Sequence, residues 1–85
     1  MITVGKIIST ERKKRNLTVK ELSRQIGFIY ETTWNIENYG SSVSYKTLDD
    51  VCNFFNLDKK EMAEINLKSN KVYKEYLRYV NGVKP

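Results

Sequence analysis

Hydrophobic residues recur three and four positions apart along most of the chain, which is the spacing of an amphipathic α-helix. No segment sustains the two-residue alternation that is typical of a half-buried strand, and the one proline is the last residue, Pro85. Helix-start residues followed by apolar stripes mark six segments, which begin near residues 4, 18, 30, 44, 58 and 70. The pattern therefore predicts an all-α protein of short helices.

The stretch 17–36 contains two short helical patterns joined at Gly27. Leu22 and Ile26 lie four residues apart and so share one face of the first helix. Ser23 is small enough to let the two helices approach closely. Gly27 can adopt a positive φ at little cost, so it can end the first helix and let the chain turn sharply. The stretch therefore predicts a helix–turn–helix unit.

The second helix of this unit divides into two faces. Three residues can face inward, namely Phe28, Thr33 and Ile36, which leaves outward Tyr30, Glu31, Trp34 and Asn35. In a DNA major groove, Asn can pair with adenine, Glu can accept from the cytosine amino group, and an aromatic ring can contact the thymine methyl. We predict that these four outward residues read bases. The alternative is that the aromatic residues pack locally or bind a protein, since exposed aromatic residues without Lys or Arg are also typical of protein interfaces.

Size and composition narrow the function classes. Eighty-five residues make one small domain without a deep catalytic cleft. One cysteine, Cys52, and no histidine exclude a disulfide within the chain, an ordinary zinc site and a histidine base. We expect Cys52 to be a core residue, and we expect no enzyme activity, cofactor or metal. The chain starts without a secretory leader pattern and has no apolar run near the roughly 20 residues that span a bilayer, so we expect a cytoplasmic protein.

Charge is distributed unevenly. The formal net charge of +5 favours a polyanionic partner, but residues 31–58, where the predicted reading helix begins, carry a net charge of −4. That acidic segment argues against a routine DNA-binding protein. Candidates for contact with DNA phosphates are Lys14, Arg15, Lys20, Arg24, Ser41, Ser42 and Lys46. The alternative for the charged residues is that they are solvated helix ends.

Four motifs follow one another along the chain: Val4-Gly5…Ile8…Arg12, Leu17-Thr18…Leu22-Ser23…Ile26-Gly27, Ile36-Glu37-Asn38, and Ser44-Tyr45-Lys46-Thr47-Leu48…Phe55-Asn56-Leu57. In this order and at these spacings, the chain resembles the Xre/Cro family of phage and bacterial repressor domains over roughly residues 4–67. The resemblance implies a five-helix, lambda-repressor-like domain whose third helix enters the major groove of double-stranded DNA, usually as a dimer. It also implies a partly buried ion pair between Arg12 and Glu37.

Three positions depart from the family pattern. Val19 stands where the family usually has a phosphate-contacting Gln, and Ile29 stands where a Ser or Thr usually caps the third helix. Tyr39 stands where a glycine usually follows Ile-Glu-Asn. These departures bear on DNA docking more than on the fold.

The segment after this unit is expected to form an additional C-terminal helix. We therefore divide the chain into a helix–turn–helix domain, residues 1–68, and a C-terminal helix, residues 69–85. The apolar stripe of that helix consists of Val72, Tyr73, Tyr76, Leu77 and Val80. The stripe either covers the core of its own monomer or forms a dimer interface, and we predict a homodimer.

The resulting hypothesis is a non-enzymatic, sequence-specific transcriptional regulator of the repressor type. The alternative is a protein-interaction module on the same fold, such as an antirepressor or an inhibitor of another regulatory protein. The acidic residues near the third helix and the missing phosphate-contacting Gln are the reasons to keep that alternative open.

Overall fold

The computed structural model describes residues 2–40 and 42–82, and for residues 71–74 it describes the backbone alone. These residues form six helices and no strand, so the all-α prediction is confirmed: α1 Val4–Lys14, α2 Val19–Ile26, α3 Tyr30–Tyr39, α4 Tyr45–Phe55, α5 Lys59–Lys68 and α6 Lys71–Val80. Each helix begins within one residue of its predicted start. None of these helices has the length and hydropathy that crossing a bilayer requires.

Four helices begin at a polar cap. In each, the side-chain oxygen of the N-cap residue accepts a hydrogen bond from the backbone N–H three residues later, and these caps are Thr3, Thr18, Ser44 and Asp58. Thr18 and Glu21 complete a reciprocal capping box. Helix α3 differs because its N-cap is Ile29, which offers no side-chain acceptor. The first N–H groups of α3 are therefore left without a side-chain cap.

One hydrophobic core joins the first five helices. Its buried members come from α1 to α5 and are Val4, Ile8, Leu22, Ile36, Leu48, Val51, Cys52, Phe55 and Met62. Cys52 is among them, as predicted, and burial raises the pKa of its thiol. With so few large side chains in the core, the position of each helix depends on close local contacts as well as on apolar burial.

Two contacts fix α3 against its neighbours. On the α1 side, a Cβ atom at Gly5 would overlap the backbone carbonyl oxygen of Ile36, so only glycine permits this approach of the two helices. On the α2 side, the hydroxyls of Ser23 and Thr33 share a buried hydrogen bond of 2.7 Å. Between them, Gly27 ends α2 in the left-handed conformation at φ 87°. The backbone direction of α3 is thus set by small residues.

The segment between α3 and α4 is attached to α5 through Asn66. The buried Asn66 amide accepts a hydrogen bond from the Val43 N–H at 2.8 Å and donates one to the Val43 carbonyl at 2.9 Å. Next to it, the Asn70 amide donates to the Ser42 hydroxyl at 3.4 Å. These side-chain contacts hold the loop in place without regular secondary structure, which satisfies backbone groups that would otherwise be unpaired.

Helix α6 follows the five helices that share the core. The principal dimensions of the chain are 44 × 23 × 21 Å. Every residue of α6 whose side chain is described, from Glu75 to Val80, is exposed. The described side chains of α6 therefore lie outside the core that the other five helices share.

Candidate functional site

The solvent-facing side of α3 carries five side chains that we call the outward face: Tyr30, Glu31, Trp34, Asn35 and Asn38. All five are exposed, whereas Thr33 and Ile36 on the opposite side of the helix are buried. The four predicted base-reading residues are therefore brought together on one surface. Asn38 was not among the predicted residues, although its position four residues after Trp34 in the sequence places it on the same face of the helix.

Two large aromatic side chains dominate this surface. Tyr30 is 51% exposed and Trp34 is 40% exposed. The Trp34 ring meets the ring of Tyr39 edge to face, with centroids 5.9 Å apart. The Asn38 amide donates to the Trp34 carbonyl at 2.8 Å. Trp34 therefore packs locally against Tyr39, as the alternative to base reading expects, but much of its indole stays accessible to solvent.

Two polar groups of the outward face are available for a ligand. Among the described residues, the side chains of Glu31 and Asn35 have no hydrogen-bond or ion-pair partner. Glu31 lies in the first turn of α3, where the positive end of the helix dipole favours a carboxylate. The surface thus presents one free carboxylate and one free amide beside two exposed aromatic side chains.

The negative charge of residues 31–58 lies mostly elsewhere. Glu37 points away from the outward face and pairs with Arg12. Apart from Glu31, the other carboxylates of the segment pair with lysines or cap α5. These are Asp49 with Lys59 at 2.6 Å, Asp50 with Lys46 at 3.4 Å, and Asp58 with the N–H of Glu61 at 2.9 Å. Within the described part of the segment, Glu31 is the only carboxylate without a partner.

Arg12 and Glu37 form a bidentate ion pair between α1 and α3. The Arg12 Nε donates to Glu37 Oε2 at 2.8 Å, and its Nη2 donates to Oε1 at 2.9 Å. The Arg12 Nη1 donates to the Leu17 carbonyl at 2.8 Å. The two side chains are only 13% and 6% exposed, and the hydrogen bonds that Arg12 donates to Glu37 raise the pKa of Arg12. The structure thus brings together the pair that the family resemblance implied.

The basic residues at the end of α1 are engaged within the chain. Lys14 and Arg15 pair with Glu11 at 3.0 and 3.1 Å, and the hydrogen bonds from Lys14 and then Arg15 lower the pKa of Glu11. The Arg15 guanidinium also lies over the Phe55 ring, 4.8 Å from its centroid. Lys14 and Arg15 are exposed and could reach a phosphate, but both already form ion pairs with Glu11.

The other phosphate candidates differ in their surroundings. Lys20 and Arg24 are exposed on α2, one turn apart, and neither forms an ion pair within the described residues. Lys46 is exposed and pairs with Asp50, while the Ser42 hydroxyl accepts from Asn70. Ser41 lies outside the described residues. Lys20 and Arg24 are the candidates that are least committed to contacts within the chain.

Part of the predicted dimer interface can be located on α6. Tyr76, Leu77 and Val80 are 59%, 36% and 52% exposed, while the side chains of Val72 and Tyr73 lie outside the description. The three located residues do not close the core of their own monomer. Dimerisation through them stays a prediction.

One open groove of about 460 Å³ lies between α4 and α5. Apolar residues line it together with the ion pair of Asp49 and Lys59, which lowers the pKa of Asp49. Among the described residues, no group of three or more Cys, Asp or Glu side chains is placed to hold a metal ion. The groove therefore offers apolar walls, Lys46 and one neutralised ion pair, whereas the outward face of α3 offers a free carboxylate, a free amide and two exposed aromatic side chains.

Comparison of the chain with protein-family models, with curated proteins and with solved structures found no match in any of the three. The resemblance to the Xre/Cro family accordingly depends on the chain's own residues.

Proposed function

We propose that this protein is a sequence-specific DNA-binding transcriptional regulator of the helix–turn–helix type that the Xre/Cro resemblance implies. The observation that carries the proposal is the construction of α3. Small residues and one ion pair fix its inner side, while its outer side presents aromatic, amide and carboxylate groups to solvent. A helix supported in this way can enter the major groove of double-stranded DNA with its side chains toward the bases.

The dimensions of the outward face suit this role. From Tyr30 to Asn38 the helix rises about 12 Å, at about 1.5 Å per residue. Base pairs in B-form DNA are about 3.4 Å apart, so the face can contact about three or four of them. The major groove is about 12 Å wide, which admits one α-helix. Tyr30, Glu31, Trp34 and Asn35 are then the base-reading residues.

Charge supports the same role. Of the five acidic residues in the segment 31–58, four are paired with Arg12, Lys46 or Lys59 or serve as a helix cap, so on the outward face of α3 the unpaired negative charge is that of Glu31. Lys20 and Arg24 are exposed on the preceding helix and can contact phosphates. The net charge of +5 adds a long-range attraction for a polyanion.

A second candidate function is recognition of another regulatory protein by the same face. The observation in its favour is that α3 contains no Lys or Arg, while Tyr30 and Trp34 are the residue types that dominate protein-binding hot spots. In that case Trp34 would be the buried anchor and Trp34→Ala would abolish binding of the partner. DNA would then show no sequence preference.

Selection of DNA fragments separates the two functions. Purified protein is mixed with sheared genomic DNA at physiological salt, and the retained fragments are sequenced. A reading helix predicts recurrent sequences, with half-sites about 34 Å apart if the protein is a two-fold dimer. Asn35→Ala should relax the preference at one position of each half-site, whereas Asn53→Ala, which alters an exposed asparagine on α4, should not. The absence of DNA binding even at low salt would refute the DNA function.

A further inference from the structure

The outward face lacks the chemistry that most often reads guanine. Arg or Lys bound to the O6 and N7 atoms of guanine is the commonest specific contact between proteins and DNA. Helix α3 has the sequence Tyr-Glu-Thr-Thr-Trp-Asn-Ile-Glu-Asn-Tyr and therefore contains no cation. Its unpartnered carboxylate, Glu31, is an acceptor, and guanine presents two acceptors at the same edge. Glu31 thus disfavours guanine at the base that it meets and tolerates cytosine or adenine, which present an amino group.

The groups that the face does offer match A·T base pairs. Asn35 has a free amide, and an Asn amide can bind the N6 and N7 atoms of adenine together. Tyr30 and Trp34 lie four residues apart on the same side of α3, so their rings follow one another along the helix at a rise of about 6 Å. That rise spans about two base-pair steps. Two exposed aromatic rings at this spacing can each cover the C5-methyl group of a thymine.

We propose that the outward face selects A·T-rich DNA and that its affinity depends on thymine C5-methyl groups covered by Tyr30 and Trp34. The inference rests on the proposed DNA-binding function and adds the chemical class of the DNA. It differs from readout by hydrogen bonds alone, because a substantial part of the discrimination then comes from burial of apolar surface. Removing one methyl-sized group from such a contact weakens binding about fourfold.

The experiment first selects duplexes from a randomised library with the purified full chain at physiological salt. The selected pool should be enriched in A·T pairs within each half-site. The best duplex is then synthesised with deoxyuridine in place of thymidine, which removes the C5-methyl group and leaves base pairing unchanged. Replacing a contacted thymine should weaken binding about fourfold for each methyl lost.

Protein variants identify the rings responsible. In Trp34→Ala or Tyr30→Ala, the ratio of affinities for the thymidine and deoxyuridine duplexes should fall toward one at the position that the deleted ring covers. Tyr79→Ala is the matched control, because Tyr79 is an exposed tyrosine on α6 and its loss should leave the ratio unchanged. The deoxyuridine substitution is made in the DNA, so its effect on the wild-type protein does not depend on how any variant folds.

The outcomes are distinct. Selection of G·C-rich sites, or equal affinity for the thymidine and deoxyuridine duplexes, would overturn the inference and leave DNA binding intact. Failure to retain any duplex at low salt would overturn both the inference and the proposed function. If a protein partner is then bound through Trp34, the second candidate function takes their place.

Discussion

The ion pair between Arg12 and Glu37 makes a quantitative prediction about stability. The Arg12 side chain donates three hydrogen bonds, two to Glu37 and one to the Leu17 carbonyl. Removing Glu37 leaves a poorly compensated guanidinium that keeps its bond to Leu17. Removing Arg12 leaves both the Glu37 carboxylate and the Leu17 carbonyl without that partner, in a place where the carboxylate is only 6% exposed. The two single changes should therefore lower the free energy of unfolding by different amounts.

The magnitude follows from the number and type of bonds lost. Breaking a buried ion pair from one side costs roughly 3–5 kcal/mol, and partial exposure lowers that value here. We expect Glu37→Ala to lower the free energy of unfolding by about 1–3 kcal/mol, since hydrogen bonds to charged groups contribute about 1.5–3 kcal/mol. Arg12→Ala should cost about 1 kcal/mol more because the Leu17 carbonyl also loses its donor. The double change should cost less than the sum of the two, because the pair acts as a unit.

Urea denaturation measures these values. Trp34 is the only tryptophan and lies on α3, so its fluorescence reports on the helix that Glu37 anchors, while circular dichroism reports on the whole chain. A parallel cycle on the exposed pair of Lys46 and Asp50 in α4 is the control, and its coupling energy should be close to zero. Strict additivity of the Arg12 and Glu37 changes, or equal coupling in the two cycles, would refute the reasoning.

Four further outcomes are expected. Gly5→Ala should destabilise the chain by roughly 1–3 kcal/mol or more in urea denaturation, because its Cβ meets backbone that cannot move aside; a neutral effect would contradict the close approach of α1 and α3. Glu31→Gln should bind DNA more tightly and less selectively in competition assays, since a carboxylate that phosphates repel is removed; unchanged selectivity would exclude Glu31 as a reader. Wild-type protein should sediment as a dimer at micromolar concentration, and Leu77→Glu as a helical monomer; a wild-type monomer at high concentration would count against the α6 interface. The hydrogen bond from the Thr18 N–H lowers the pKa of Glu21 below its ordinary value of 4.5, so the capping box contributes its full stability above pH 4.5 and loses it as the pH falls below that value. The Glu21→Gln variant should therefore lose less stability on acidification, as followed by circular dichroism. Parallel pH profiles of the variant and the wild-type protein would refute this.

Local rules account for the parts of the fold that the sequence predicted well. The polar caps at Thr3, Thr18, Ser44 and Asp58 depend on residues within one turn, so their spacing alone indicates where helices begin. The division of α3 into two faces also follows from local periodicity. That division placed Thr33 and Ile36 inside and the four base-reading candidates outside.

Contacts between distant segments explain what the sequence did not predict. Asn66 binds the Val43 backbone across 23 positions, and nothing in the residues around Asn66 distinguishes it from a solvated amide. Arg15 lies over the Phe55 ring, a contact that depends on how α1 and α4 pack. Lys59 neutralises Asp49 in the same way, across the α4–α5 junction. Counting charges along the chain therefore overstated the negative charge beside α3, because pairing depends on the tertiary structure.

The close approach of α1 and α3 at Gly5 positions α3 without using the side chains of its outward face. The contact is made by backbone atoms of Ile36 and its neighbour, so the position of α3 does not depend on which side chains it presents outward. Substitutions at exposed positions away from caps and buried pairs usually change stability by less than about 0.5 kcal/mol. We therefore expect that residues 30, 31, 34 and 35 can be varied together among helix-forming residue types at a small cost in the free energy of unfolding. Under the proposed DNA-binding function, new binding preferences can therefore arise through a few mutations on the outward face while the core stays unchanged.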